Sequence, residues 1–321
     1  MTLTRFGFQL PSFTYPGVSD DQLFEFICRA ATTAEDHGFD SLWVMDHLHQ
    51  IPPVGTPSEP MLEAYTLLAG IAARTRSAKI GALVTGVTYR NPAFLAKAVT
   101  TLDIVSGGRA VLGLGAAWFE AEHEAYGFTF PPVAERMDRL EEAVQICRAM
   151  FTQDETSFVG THYQVTAALN RPLPVAPGGP PILIGGGGEQ RTLKLVARYA
   201  DACNVFGDAA TVRHKLRVLD AHCERIGRDP MEITKTRLGA IVLADTVENS
   251  NRQGAELRST RNMAMEKYAA YAVEGNDDRV LEQVQELFDA GLDGLIFNVH
   301  DPTDLTAIAE AGTLLTDNFG V

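Results

Sequence analysis

The stretch Asp46-His47-Leu48-His49 places a carboxylate and two imidazoles within four positions, directly after the apolar run Ser41–Met45. An imidazole titrates near neutrality, so His47 suits donating or accepting a proton; its plainer role is a hydrogen bond within the mouth of a site. The His47/His49 pair also suggests a metal-dependent hydrolase. A closed metal site needs further ligands after later strands, and there the chain offers Gly-Gly-Gly-Gly and Asn-Val-Phe-Gly, with only Asp301 in a suitable place. No metal is expected. A second constellation is Gly185-Gly186-Gly187-Gly188-Glu189 leading into a helix. Glycines at a helix N-terminus offer free N–H donors and the positive end of the dipole, which suits a phosphate, whereas an unliganded flexible turn is the plainer reading. No Gly-Lys-Ser/Thr follows, so this is not a Walker loop. The third is Gly113-Leu114-Gly115-Ala116-Ala117-Trp118, a dinucleotide fingerprint lacking its last glycine. The residues after it are helical rather than a second strand closed by an acid, so its glycines instead let a flat ligand approach the backbone. Trp118 either stacks on that ligand or walls the pocket, and Glu122 is either an acid beside it or a solvated helix-face residue. No Gly-x-Ser-x-Gly elbow is present and no Cys ends a strand beside a His, which argues against nucleophilic hydrolysis.

Elements that place these residues follow from the hydrophobic pattern. Short apolar runs at Phe6–Leu10, Ser41–Met45, Lys79–Val84, Arg109–Gly113, Pro181–Gly185, Ala202–Phe206, Ile233–Leu243 and Gly294–Val299 read as strands covered on both faces. Between them the spacing is helical: Met137, Leu140, Val144, Cys147 and Phe151 line one face. Ser19-Asp-Asp-Gln22 has capping-box spacing, and Asn91-Pro92 and Asp301-Pro302 put a cap before a first-turn proline. Gly38-Phe-Asp-Ser-Leu42, Gly291-Leu-Asp-Gly-Leu295 and Tyr199-Ala-Asp201 echo one another as helix-to-strand joints, which suggests repeated αβ units. Eight strands alternating with helices predict a (β/α)8 barrel, with chemistry at the strand C-terminal ends. Two stretches are surplus, Gln153–Pro180 after strand four and Asp245–Asp278 after strand seven. Both read as insertions in one domain spanning residues 1–321.

The 321 residues carry a net charge of −14 and are 45% hydrophobic. That composition can bury a large core, and an acidic chain without a basic cluster should repel nucleic acid and anionic membranes. The start lacks a signal-peptide pattern, and no run approaches the roughly 18 apolar residues of a membrane span. Cys28, Cys147, Cys203 and Cys223 form no CxxC pair and read as buried thiols of a reducing, cytoplasmic compartment.

Taken together and in order, Gly38-Phe-Asp-Ser-Leu-Trp-Val-Met-Asp-His47, Tyr89-Arg-Asn-Pro92, Thr101–Arg109, Gly113–Gly127 and Pro181–Gly188 resemble the luciferase-like monooxygenase family, in particular its coenzyme F420-dependent oxidoreductase branch. The resemblance runs from Phe6 to about residue 300 and is weakest over Asp245–Asp278. It implies a barrel of the bacterial-luciferase-like type holding a deazaflavin or flavin at the strand C-termini, usually in a homodimer. It further implies that Asp46 and His47 sit beside the ring, that Leu83–Val84 is a non-prolyl cis peptide bulging behind it with Thr85 next in line, that Ala116 and Ala117 lie near the cofactor side chain, and that Gly185 to Glu189 take the phosphate. Sugar-phosphate dehydrogenases of the family carry Glu where Trp118 stands, which speaks against a sugar phosphate here. The expected activity is hydride transfer between coenzyme F420 and a small organic substrate, with His47 as proton donor or relay, Asp46 orienting it or a cofactor group, and Tyr89, Trp118 and Glu122 in the substrate pocket. Arg191 and Lys194 are candidates for the cofactor's tail. The alternatives are an FMN-dependent monooxygenase on the same barrel, a metal-dependent barrel hydrolase, and a non-catalytic flavin-binding protein.

Overall fold

A computed structural model describes residues 3–52, 54–300 and 303–320. Its strands are β1 Phe6–Leu10, β2 Ser41–Val44, β3 Lys79–Ala82, β4 Thr85–Gly86, β5 Ala110–Gly115, β6 Thr156–Val159, β7 Gln164–Ala168, β8 Ile182–Gly185, β9 Ala202–Val205, β10 Thr234–Leu243, β11 Ala272–Gly275 and β12 Gly294–Val299. Parallel pairing runs β1-β2-β3-β5-β8-β9-β10-β12 and returns to β1, closing an eight-stranded barrel with helices between the strands. This is the (β/α)8 architecture expected from the alternating pattern. Because both strand faces are covered, the strands are almost wholly buried and lack polar alternation. Trp43, Leu83, Val111, Leu183 and Ile296 form one cluster, and the larger core lies between sheet and helices. A Cβ on Gly7 or Gly81 would lie 2.8 or 2.9 Å from the Trp43 ring, so glycines on the two flanking strands make room for that indole.

The three echoing joints share one bond. Asp40, Asp201 and Asp293 each precede a strand, and each carboxylate accepts a backbone N–H from the start of the preceding barrel strand or the residue before it. The donors are Arg5 at 2.7 Å, Ile182 at 2.7 Å and Lys235 at 2.8 Å. The repeat is a device for satisfying donors at the end of the barrel opposite the strand C-termini.

Four local features depart from the sequence reading. The third predicted strand is broken: Leu83–Val84 is a cis peptide, and pairing resumes as β4, which continues alongside β5. The fourth runs later than expected, from Ala110 to Gly115. The Ser19 box shapes a turn, and the helix starts only at Leu23 without a side-chain cap. Asp301-Pro302 lies outside the described residues, and Asp304 caps the last helix by accepting from Thr306 N–H. Asn91 does cap its helix, with Pro92 in the first turn. The first insertion contains the antiparallel β6–β7 hairpin. The second contributes helices Val247–Thr260 and Met265–Ala269 and also β11, which extends the sheet beside the C-terminal half of β10. All four cysteines are free and buried, and burial pushes the Cys147 and Cys203 thiols up to about 12.

Candidate functional site

A cavity of about 640 Å³ opens at the C-terminal ends of the strands. From β1 comes Gln9, from the segment after β2 come Met45, Asp46 and His47, and from the bulge and β4 come Leu83, Val84, Thr85 and Gly86. The loop after β5 adds Ala116, Ala117 and Trp118, and β8 ends in Gly185 and Gly186 at the same wall. Most residues singled out in the sequence therefore converge on one cavity.

Behind the His47 side of the wall lies Glu122, fully buried at the first turns of the helix Glu120–Tyr126. Its carboxylate accepts from His47 Nδ1 at 3.0 Å, from the Tyr89 hydroxyl, from Leu48 N–H and from His49 N–H at 3.1 Å. Burial alone would raise its pKa, but the bonds from His47, Tyr89 and Leu48 outweigh it and bring the carboxyl to about 2. Glu122 is thus neither a solvated helix-face acid nor part of the pocket lining, as the sequence had suggested; it supports two residues that are. An ionised carboxylate only accepts, so Nδ1 of His47 must donate, which leaves Nε2 as the ring nitrogen able to exchange a proton with a bound molecule. The Tyr89 phenol is raised well above its ordinary value by burial and then by the bond to Glu122. Trp118 meets the His47 ring edge-on, with centroids 5.7 Å apart, and stacks on Phe119.

Of the two roles expected for Asp46, orienting His47 or a cofactor group, the first is not the one it fills. Its Oδ2 accepts from Arg90 at 2.7 Å and from Gly86 N–H at 3.1 Å, fixing the start of β4. Burial pushes the Asp46 carboxyl up while the Arg90 charge pulls it back. Glu122, not Asp46, orients His47.

Opposite, the wall is bare backbone around Val84. A Cβ on Gly115 would lie 2.7 Å from Val84 Cγ2, and one on Gly185 2.8 Å from Cγ1. These glycines are what let the Val84 side chain seat against β5 and β8. Thr85 lines the cavity while its hydroxyl bonds Tyr65 at 2.7 Å. Ala117 adopts a φ of 59°, turning the chain into the Trp118 loop. Beyond Gly186 the loop leaves the cavity wall: Gly187, Gly188 and Glu189 lead to the helix Thr192–Tyr199. The Glu189 carboxylate is held by Lys215 at 2.6 Å and His214 at 3.1 Å, so the backbone of this loop, not the Glu189 side chain, is what it offers an anion. Arg191 pairs with Asp138, and Lys194 is exposed.

The sequence reading missed Gln9, Asn204 and Asn298, each buried and each lining the cavity. Their signal was available: a lone amide near the C-terminal end of an apolar strand. It also missed Lys215, on the helix after β9, whose Cε lies 3.7 Å from where a Gly187 Cβ would stand. Arg261, Met263 and Tyr271 show that the second insertion walls the cavity. Among the described residues no group of three or more His, Cys, Asp or Glu could hold a metal ion, and Asp301, which the metal reading requires, lies outside them.

Comparison with known proteins agrees with this geometry. The F420-dependent glucose-6-phosphate dehydrogenase of Nocardia farcinica is 31% identical over 305 residues, covering 84% of this chain and 87% of that protein. Among solved structures, the coenzyme F420-dependent tetrahydromethanopterin reductase of Methanopyrus kandleri superposes with a TM-score of 0.79 at 17% identity, over 98% of both chains. The monooxygenase RslO1 of Streptomyces bottropensis gives 0.81 at 20% identity, again over 98% of both chains. Residues 4–295 match the sequence signature described as luciferase-like monooxygenase. A match over that span, with 31% identity across most of both chains to the Nocardia farcinica enzyme, shows that the chain belongs to the luciferase-like monooxygenase family.

Proposed function

We propose that the protein is a coenzyme F420-dependent oxidoreductase acting on an uncharged, largely apolar carbonyl compound or alcohol, with His47 handling the proton. The observation that carries this reading is His47, set in the cavity wall with Glu122 bonded behind it, in the cavity that the glycines of β5 and β8 leave open. The residues present fit a flat ring bearing an anionic tail. Leu83 and Val84 would back the ring and Ala116 and Ala117 would lie near the cofactor side chain, while the Gly185–Glu189 backbone, at a helix N-terminus with Lys215 beside it, would hold the phosphate. The bound cofactor supplies or accepts the hydride. The identity to the Nocardia farcinica enzyme supports coenzyme F420 as that cofactor.

The protein's own part is positioning and proton traffic. Glu122 keeps Nδ1 of His47 protonated, so Nε2 takes a proton from a substrate hydroxyl in one direction and returns it in the other. Apolar Ile51, Val54, Met137, Phe206 and Met263 line the same cavity. Among the described wall residues the acidic, basic and imidazole side chains are Asp46, Arg261 and His47; Asp46 is paired with Arg90, and Arg261 is bonded to Tyr271. That inventory, with Trp118 at the position where sugar-phosphate dehydrogenases carry Glu, supports a neutral substrate over a phosphorylated one.

An FMN-dependent monooxygenase is the second reading, since the same barrel occurs in RslO1, described as a monooxygenase. Parallel fluorescence titrations with coenzyme F420 and FMN separate the two. Micromolar binding of coenzyme F420 with weak FMN binding is expected, and the reverse preference would move the assignment to oxygen chemistry. We further infer a single barrel domain working as a homodimer in the cytoplasm. Exposed Phe94, Ile104 and Val105 on the helix Pro92–Ser106 support the dimer, and four free buried cysteines support a reducing compartment.

A further inference from the structure

Five groups stand in line between the second insertion and the floor of the cavity. Arg261 Nη1 donates to the Tyr271 hydroxyl at 2.8 Å, and that hydroxyl donates to Asn298 Oδ1. Asn298 Nδ2 donates to Gln9 Oε1 at 2.9 Å, and Gln9 Nε2 donates to the Leu83 carbonyl at 3.2 Å. The ends fix the direction of the whole line, because a guanidinium only donates and a carbonyl only accepts. Gln9 must turn its NH2 toward Leu83, so its oxygen faces Asn298. Asn298 must then turn its NH2 toward Gln9, so its oxygen faces Tyr271, whose proton can go only there. Gln9 and Asn298 are each 2% exposed, so reversing any member would set donor against donor or acceptor against acceptor out of reach of water. Bonds aligned this way polarise one another, and the cation at one end reinforces the alignment.

Both ends of the line are anchored. The insertion is tied to the barrel by Arg237 of β10, buried and donating to the carbonyls of Ala270, Tyr271 and Gly207 at 2.7, 2.9 and 2.7 Å. At the other end Leu83 N–H donates to Val44 O at 2.8 Å, and the next side chain is Val84, seated against Gly115 and Gly185. We infer that Tyr271, Asn298 and Gln9 are positioning residues: through this one-directional line, the insertion after β10 sets the Leu83–Val84 wall on which the cofactor ring is proposed to rest. The cofactor part rests on the function proposed above; the mechanical part, that Tyr271 restrains a segment on the far side of the barrel, stands without it.

The test uses Tyr271→Phe, which removes the hydroxyl and keeps the ring, together with Gln9→Met and the double variant. In the ligand-free protein, hydrogen exchange over residues 79–88 should quicken in each single variant. The dissociation constant for coenzyme F420 should rise about 5- to 10-fold in each, the order of one net hydrogen bond, because each substitution releases the same restraint on Leu83. If the line acts as one unit, the double variant should lie within about 2-fold of the weaker single, whereas independent losses would multiply. Melting temperatures of all four proteins separate this from a merely structural role, which would lower stability without coupled affinities. Unchanged exchange over 79–88 in Tyr271→Phe, or multiplying effects on affinity, overturns the inference. Should the unmodified protein fail to bind coenzyme F420, the proposed function falls and the exchange measurement alone decides the line.

Discussion

At the scale of single residues, Glu122 organises the site by giving up all its acceptor capacity to His47, Tyr89 and two backbone N–H groups. His47→Ala should cut turnover by about 100-fold or more while leaving coenzyme F420 affinity nearly intact, because acid–base help is lost and the ring wall is untouched. Steady-state kinetics beside a fluorescence titration would show it, and unchanged turnover would remove His47 from the mechanism. Glu122 also predicts a pH dependence. Its folded carboxyl titrates at about 2 against an ordinary 4.5, so the unfolded chain takes up the proton more readily. The stability it contributes is complete above the ordinary carboxyl value and drains away as pH falls from about 4.5 toward 2. Glu122→Gln has no such proton to bind. It should be less stable than the unmodified protein at pH 7 yet lose less stability between pH 5 and pH 3, measured by urea unfolding at each pH. The sequence made His47 legible because imidazoles at a strand end are rare and chemically pointed. It left Glu122 open because a Glu on a seven-residue helix gives no hint of which way that helix turns its face.

Among elements, the strand-end aspartates and the wall glycines divide the barrel into a structural end and a chemical end. Asp293→Ala strands the Lys235 N–H at the structural end and should cost about 1–2 kcal/mol in unfolding free energy, with kcat/KM unchanged. Gly185→Ala works at the other end: its methyl would stand 2.8 Å from Val84 Cγ1, and a buried contact that tight must displace Val84. Here coenzyme F420 affinity should fall together with the melting temperature, and a variant losing stability alone would show that the Val84 seat is not part of the ring site. The eight barrel strands were legible because both faces are apolar, and the joints because Gly and Asp recur in one order. The break in the third strand was not legible from local pattern: Lys79–Val84 is uniformly strand-like, and only the family resemblance pointed to Leu83–Val84. Strand β11 was hidden for another reason. Its four residues pair only with the overhang of β10, a ten-residue strand that outruns its neighbour β9, and such an overhang exists only in three dimensions.

For the whole molecule the governing quantities are a net charge of −14 and an apolar face that the barrel itself does not cover. Phe94 is 65% exposed and Val105 46%, three helical turns apart on Pro92–Ser106, with Ile104 beside the latter. An i, i+11 spacing puts Phe94 and Val105 on one side of the helix, where two copies could bury them across a two-fold axis. No periodicity in the sequence isolates this face, because the same helix is apolar toward the core as well, and only the folded chain shows which apolar residues are left over. Two copies each carrying −14 repel, so an association built on apolar burial should tighten as salt screens that repulsion, whereas one built on ion pairs would loosen. Sedimentation at low and moderate ionic strength should therefore find a species of twice the chain mass, with a dimer dissociation constant that falls as salt is added. Phe94→Glu with Val105→Glu should return it to a monomer that keeps the cofactor affinity, since neither residue lines the cavity. A monomer in the unmodified protein, or a dimer indifferent to both substitutions, would place any association on another face.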